Sequence, residues 1–478
     1  MVGRMLFDTP AYLIFLPLVV LVYWRLARRE QNLFLLAASY FFYGWWDWRF
    51  LFLIATSTVV DFYCARFIAG AKSGVRRRAL LTISLLLNFG FLGFFKYFNF
   101  FVDSAEHVLH ALGLQSVPVP LLRILLPPGI SFYTFQAVAY IVDVYHDRLP
   151  PAESLADYAL FISLFPHLIA GPIQRPFHLL PQVQKARRFE NERFFGGLML
   201  ILTGLFRKCV IADNCALLAN AAFGGQFGPP SLLVLAIGVY AFAWQIYGDF
   251  SGYSDIARGS AQLMGFHFMV NFRQPYLSAS LQEFWRRWHI SLSEWLRDYV
   301  YFSIGGLRKR ELNKYRNVVL TMLIGGLWHG ANWTFAIWGG LHGMGLAVER
   351  FLSTLIPRFP APNSRCGIAW KWISRIAVFH LVCLSWAFFR AKSVADAWRF
   401  LGGVTTFAWR PEYLVALKYL GLFSLPMLWI DLMLERRQEE YLWEKGSYGA
   451  RIAAGLGLLL ATELFAANQA NAFIYFRF

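Results

Sequence analysis

Residues Asn317 to Val348 read NVVLTMLIGGLWHGANWTFAIWGGLHGMGLAV, thirty-two positions without one Asp, Glu, Lys or Arg. A bilayer core takes roughly 20 apolar residues to cross as a helix, so this stretch assigns the chain to the membrane. One imidazole, His329, sits near its middle. The rest of the composition agrees. Of 478 residues, 58% are hydrophobic and only 15% charged, against about 25% charged in soluble globules. Disorder, collagen and a disulfide-stapled scaffold are excluded. The excess of 45 Lys and Arg over 28 Asp and Glu gives +17, a charge that suits nucleic acid, anionic lipid or cytoplasmic membrane loops. The apolar background favours the loops, with membrane lipid as the surroundings and no nucleic acid partner.

Working outward, spans are found as gaps between charges, because a charge at bilayer depth costs at least about 2.5 kcal/mol. Uncharged windows cover Thr9–Trp24, Gln31–Trp46, Ala79–Phe95, Ile124–Val142, Tyr158–Gln174 and Ser231–Gly248. Weaker ones cover Phe50–Val60, Phe194–Phe206, Ile376–Phe389, Tyr419–Ile430 and Ile452–Thr462, too short to cross without tilt or snorkelling flanks. The expected fold is all-α, a polytopic integral membrane protein with about 11–13 hydrophobic helices, re-entrant or interfacial segments included. No repeat or linker divides it, so residues 1–478 are expected to form a single multi-span domain. The stretch Pro10–Trp24 lacks a cleavage site and is read as a retained span.

Basic clusters at Arg25/Arg28/Arg29, Lys72/Arg76/Arg77/Arg78, Lys185/Arg187/Arg188 and Arg308/Lys309/Arg310/Lys314/Arg316 mark cytoplasmic loops and place Met1 outside. They either set topology alone or also hold a polyanionic donor such as a nucleotide-bearing thioester. Pro127-Pro128-Gly129 and Gly171-Pro172 interrupt apolar windows, as kinks or as walls of an enclosed polar chamber. The five cysteines are scattered, without CxxC spacing, and neither a disulfide framework nor a metal site is expected. The histidines His267, His289, His329 and His342 show no metal-ligand spacing.

On a helical wheel, Phe284 to Tyr299 forms an amphipathic helix with Trp285, Trp288, Leu292, Trp295, Leu296 and Tyr299 on one face and His289 at its margin. His329 is the stronger candidate, since a titratable group deep in an apolar segment needs a partner or a cavity. Burial keeps an imidazole neutral, the form a general base requires. Asn332, three residues on, shares its helix face and could donate to an oxyanion. His342 lies on another side of a continuous helix. Asp249 and Asp255 end a long span and pair with Arg258 or line a polar entrance. A neutral intramembrane imidazole with amide and aromatic neighbours suits acyl transfer, in which a base removes a proton from a hydroxyl that attacks a thioester. A non-enzymatic transporter is the competing class, but no paired repeats are found.

Whole phrases then carry a family resemblance: NLFLLAASYFFYGWW from Asn32, GISFYTFQAVAYIVDVY from Gly129, FPHLIAGPIQR from Phe165, DFSGYSDIA from Asp249, QPYLSASLQEFWRRWHISLSEWLRDYVY from Gln274 and GGLWHGANWTFAIWGGLHG from Gly325. The chain resembles the membrane-bound O-acyltransferase family, and within it the bacterial alginate O-acetyltransferase type. The doubled Pro127-Pro128 departs from the single proline more usual in relatives.

The resemblance implies that His329 is the catalytic histidine and His289 its supporting one, with Asn332, Trp328 and Trp288 shaping the substrate pocket. It implies no bound cofactor, acetyl-CoA as acyl donor, an exported polysaccharide as final acceptor and an extracytoplasmic acetyltransferase or esterase-like protein as partner. The expected location is the bacterial inner membrane. Residues 473–478, FIYFRF, resemble the aromatic terminal motif of related acylation systems. Tyr475 is then either an acyl carrier or an interfacial anchor. Alginate, cellulose or another glycan, and acetyl, D-alanyl or another acyl group, stay open.

Overall fold

The computed structural model describes residues 5–114, 122, 124–306, 311–355, 364–467 and 473–474. Among these residues the regular elements are helices: α1 Pro10–Tyr23, α2 Arg28–Asp47, α3 Leu51–Gly70, α4 Gly74–Leu92, α5 Phe98–Ala111, α6 Ile130–Tyr145, α7 Leu155–Ser163, α8 Phe165–Leu168, α9 Pro176–Gln184 and α10 Asn191–Leu205. They continue as α11 Asp213–Phe223, α12 Leu232–Leu263, α13 Leu281–Arg287, α14 Ile290–Trp295, α15 Glu311–His329, α16 Trp333–Leu355, α17 Arg365–Arg390, α18 Val394–Gly402, α19 Pro411–Arg437 and α20 Tyr448–Phe465. Seven helical stretches among the described residues are long and apolar enough to cross a bilayer, and α1 is a shorter apolar helix. The protein is an all-helical, multi-pass membrane protein. It resolves into two compact units, Met1–Leu198 with Ala257–Met269, and Met199–Ile256 with Val270–Phe478.

In the first unit, the window that stops at Val60 belongs to a longer helix. α3 runs on through Asp61, which is fully buried. Its carboxylate accepts from Ser84 Oγ at 2.5 Å, from Asn88 Nδ2 at 3.0 Å and from Ser57 Oγ at 3.2 Å. A carboxylate so satisfied never meets lipid, so the helix need not end there. Pro127-Pro128-Gly129 is a helix start. Gly129 has φ +73, and a Cβ there would strike the Leu168 carbonyl oxygen, so the left-handed turn into α6 requires glycine. Gly171 similarly leaves no room for a Cβ against His167. Both breaks are buried in protein, as irregular backbone in a membrane protein must be.

In the second unit, α10 and α12 approach closely through glycine. A Cβ on Gly204 would lie 2.5 Å from the Gly252 carbonyl oxygen, and one on Gly252 would lie 2.7 Å from that of Gly204. Small residues at such crossings let membrane helices pack backbone to backbone. A widened π turn over Phe206–Ala212 follows α10 and carries two consecutive buried cations, Arg207 and Lys208. Arg207 Nη1 meets Asp255 at 2.5 Å, and Nη2 lies 3.9 Å from Asp431. Lys208 Nζ meets Asp213 at 2.8 Å and Asp249 at 3.1 Å. Tyr247 donates to Asp431 at 3.1 Å. The carboxylates that closed the uncharged windows at Gly248 and Ile430 are thus paired inside protein, and α12 continues over 32 residues.

Removing one partner from a buried pair leaves the other charge uncompensated, at a cost of about 3–5 kcal/mol. Arg207→Met is therefore expected to lower the thermal midpoint of the purified protein sharply, and adding Asp255→Leu to recover part of the loss. Equal destabilisation of the single and double variants, read by a detergent melt, would contradict the pairing.

Candidate functional site

The uncharged stretch that opened the sequence reading is a helix hairpin within the second unit. α15 ends at His329, Gly330 to Asn332 turn, and α16 returns along α15. Glycines allow the tight return. A Cβ on Gly326 would strike the Phe335 carbonyl oxygen and lie 3.0 Å from Gly339 Cα, and one on Gly343 would lie 2.9 Å from Val319 Cα. Asn332, expected on the face of His329, instead opens the second helix. Its Oδ1 accepts from Thr334 N at 2.9 Å, an N-cap contact, and its Nδ2 donates to the Lys392 carbonyl at 3.3 Å.

His329 is 2% exposed. Its ring lies 5.0 Å from Trp328, 5.2 Å from Trp338 and 5.2 Å from Phe389, centroid to centroid. The ring of His289 lies 6.3 Å away. Sequence periodicity alone suggested one amphipathic helix through His289, but the helix breaks there: α13 stops at Arg287, His289 adopts a left-handed φ of 44, and α14 starts at Ile290.

Asn271 holds that break. Its backbone carbonyl accepts from Ile290 N at 2.9 Å, and its side-chain Oδ1 accepts from Ser291 N at 3.2 Å and Ser291 Oγ at 2.9 Å. Because a backbone N–H can only donate, that atom is the amide oxygen, and His289 Nδ1, 3.1 Å away, must carry the proton. Nε2 of His289 is therefore the acceptor nitrogen. Burial pushes the imidazole down to about 3, so it is neutral at physiological pH.

A cavity of about 410 Å³ adjoins the hairpin turn. Gly330, Asn332, Phe335, Lys392 and Ile474 line it, together with Gln245, whose side chain is 4% exposed and whose Oε1 has no hydrogen-bond partner. The imidazole of His329 is set behind this wall and does not line it.

The other expected residues fall in two groups. Trp328 joins the two histidines, its ring 5.7 Å from that of His289. Trp288 packs instead into an aromatic core with Phe272, Phe284 and Trp386. His342 reaches the same cluster through Trp338 at 4.9 Å, but both its nitrogens are engaged. Trp285 Nε1 donates to Nδ1 at 3.3 Å, so Nε2 donates to Ser385 Oγ at 2.9 Å, and Ser385 donates on to the Val382 carbonyl. That direction makes the pair structural. Tyr475 and Arg308 to Arg310 lie outside the described residues, but Phe473 and Ile474 are buried in the second unit, with Phe473 stacked 4.1 Å from Tyr253.

Sequence reading missed Asn271 and Gln245, single amides in ordinary surroundings. It also missed His167 in the first unit, buried, 3.4 Å from Gln136 Nε2.

The helical hairpin, the two buried imidazoles side by side and the long apolar spans define a multi-pass membrane protein with a histidine pair near a cavity. Residues 146–389 match the model of MBOAT, the membrane-bound O-acyltransferase family. The chain is 45% identical over 408 residues to a probable alginate O-acetylase AlgI of Pseudomonas aeruginosa, covering 84% of this chain and 75% of that one. It is 36% identical over 432 residues to a peptidoglycan O-acetyltransferase of Helicobacter pylori, covering 84% and 80%. It is 29% identical over 277 residues to a teichoic acid D-alanyltransferase of Bacillus subtilis, covering 55% and 68%. The chain belongs to the membrane-bound O-acyltransferase family, in the alginate O-acetyltransferase group of bacteria. It is an O-acyltransferase and a multi-pass protein of the bacterial inner membrane.

Between pH 6.5 and about 3 the unfolded chain takes up a proton at His289 and the folded protein does not. The stability contributed by this group is full above 6.5 and is lost as pH falls toward 3. His289→Gln has no proton to take up, so its deficit in thermal midpoint is expected to narrow between pH 7.5 and pH 5. A deficit constant across that range would contradict the burial effect.

Proposed function

We propose that the protein transfers an acetyl group from a cytoplasmic thioester, acetyl-CoA, to a hydroxyl acceptor on the opposite side, for the O-acetylation of an exported polysaccharide. The single observation that carries this reading is the buried pair of His329 and His289, side by side and next to a cavity with polar lining. The names of the relatives support acetyl transfer to a cell-envelope glycan, alginate first among them. The D-alanyltransferase likeness keeps a different acyl group as the second reading.

In the proposed reaction His329 accepts the proton of the attacking hydroxyl. The oxygen forms a bond to the thioester carbonyl carbon, the tetrahedral centre collapses, the C–S bond breaks, and the departing sulfur takes a proton to leave as free thiol. His289, its Nδ1 held by Asn271, offers Nε2 to orient donor or acceptor. Trp328 and Asn332 shape the pocket. Thr334 and Phe335 line the cavity, so the first turn of α16 borders it and its dipole favours a developing oxyanion. Because His329 is packed among Trp328, Trp338 and Phe389, access requires a ring such as Phe389 to turn aside. The donor would enter from the basic, cytoplasmic end of α15, about 20 Å away by the 1.5 Å rise from Arg316 to His329.

Ile474, on the cavity wall, supports Tyr475 as a relay whose phenolic oxygen receives the acetyl group and hands it to an extracytoplasmic acetyltransferase or esterase-like protein. His329→Gln is expected to abolish glycan O-acetylation, at least about a hundredfold for loss of a general base, while the protein still accumulates in the membrane. Wild-type acetyl content with this variant overturns the assignment. Tyr475→Phe keeps the ring and removes the hydroxyl, so undiminished product eliminates the relay.

A further inference from the structure

Asp249 does more than pair with a cation. Its Oδ1 lies 3.1 Å from Lys208 Nζ, and its Oδ2 accepts the backbone N–H of Ile474 at 2.7 Å. Lys208 is held in turn by Asp213 at 2.8 Å, and all three side chains are buried. A charge-assisted hydrogen bond to a main-chain amide fixes backbone position without regard to side chain. Phe473, one residue earlier, is fully buried, stacked 4.1 Å from Tyr253 and 6.0 Å from Phe250, whose ring is 4.6 Å from His289. Ile474 itself lines the cavity beside Gly330. The C-terminal segment is therefore gripped twice, by a stacked ring and by an ion-paired carboxylate, within the aromatic shell of the two histidines.

From this geometry we infer that Asp249, held by Lys208, is a positioning residue that seats Phe473 and Ile474 at the cavity for acyl transfer. The inference rests on the reading that this segment serves the reaction. A side chain without an acceptor oxygen at position 249 would leave the Ile474 amide buried without a partner.

Two readouts test it on the full-length protein. Hydrogen exchange of the peptide containing Ile474 reads the grip directly, since loss of a hydrogen bond worth about 1.4 kcal/mol corresponds to about a tenfold change. Asp249→Ala is expected to speed exchange at Ile474 by about that factor. Asp249→Asn keeps an acceptor oxygen but removes the charge that assists the bond, is expected to speed exchange by a smaller factor, and covers the case in which Asp249→Ala does not fold. In parallel, slow release of free thiol from acetyl-CoA by water is expected to persist in the detergent preparations of both variants, while O-acetylation of the exported glycan falls in cells that carry them. A merely structural role would lower both rates together. Unchanged Ile474 protection in the variant or variants that fold, or a parallel loss of both rates, overturns the inference. Ile474 protection is independent of the phenol: if Tyr475→Phe transfers normally, the relay falls, and the exchange data still decide whether Asp249 grips the tail.

Discussion

Charge pairing inside the second unit is the constraint from which the rest follows. Arg207 and Lys208 stand next to each other in a π turn and are met by Asp213, Asp249, Asp255 and Asp431 from three other helices. An isolated ion at that depth would carry a penalty of several kcal/mol, so the helices that bear these residues must converge. Convergence of α12 with the π turn sets Asn271, Ser254 and the start of the α13–α14 segment, because Asn271 Nδ2 donates to Ser254 Oγ on α12 at 3.2 Å. The same amide orients His289. A line of polar contacts thus runs from the ion network to the imidazole that faces His329.

Around that line the protein is aromatic. Rings of Trp328, Trp338, Phe389 and Phe250 pack around the two histidines, with Trp386 against Trp338 and Phe389. Burial keeps His289 neutral and strengthens any dipole in that surrounding. The hairpin turn lines the cavity, whereas the His329 ring is packed among Trp328, Trp338 and Phe389. In the proposed reaction, access to His329 depends on ring motion as much as on proton affinity.

Much of this was legible in the amino-acid sequence, and the failures share a cause. Of the apolar windows, Tyr158–Gln174 and Asn317–Val348 are each broken into two helices, while Phe50–Val60, Ser231–Gly248 and Tyr419–Ile430 fall on spanning helices but stop short at Asp61, Asp249 and Asp431. Each is satisfied by residues far away in the chain, which no local window can see. The wheel put His289 on a continuous helix, and the left-handed break there depends on Asn271, eighteen residues earlier. His329 stood out because an imidazole in thirty-two uncharged residues is conspicuous. Asn271 and Gln245 did not, since a lone amide carries no charge and no spacing pattern.

The central claim is that His329 is the base that meets the acceptor hydroxyl at the thioester carbonyl. A cryo-electron microscopy structure with a non-hydrolysable thioether analogue of acetyl-CoA tests it most directly. The account predicts the carbonyl-equivalent carbon within about 3.5 Å of the position an attacking oxygen would take, within hydrogen-bond reach of an imidazole nitrogen of His329, with a flanking ring displaced. An analogue seated with that carbon remote from His329, and the imidazole still packed among Trp328, Trp338 and Phe389, would contradict it.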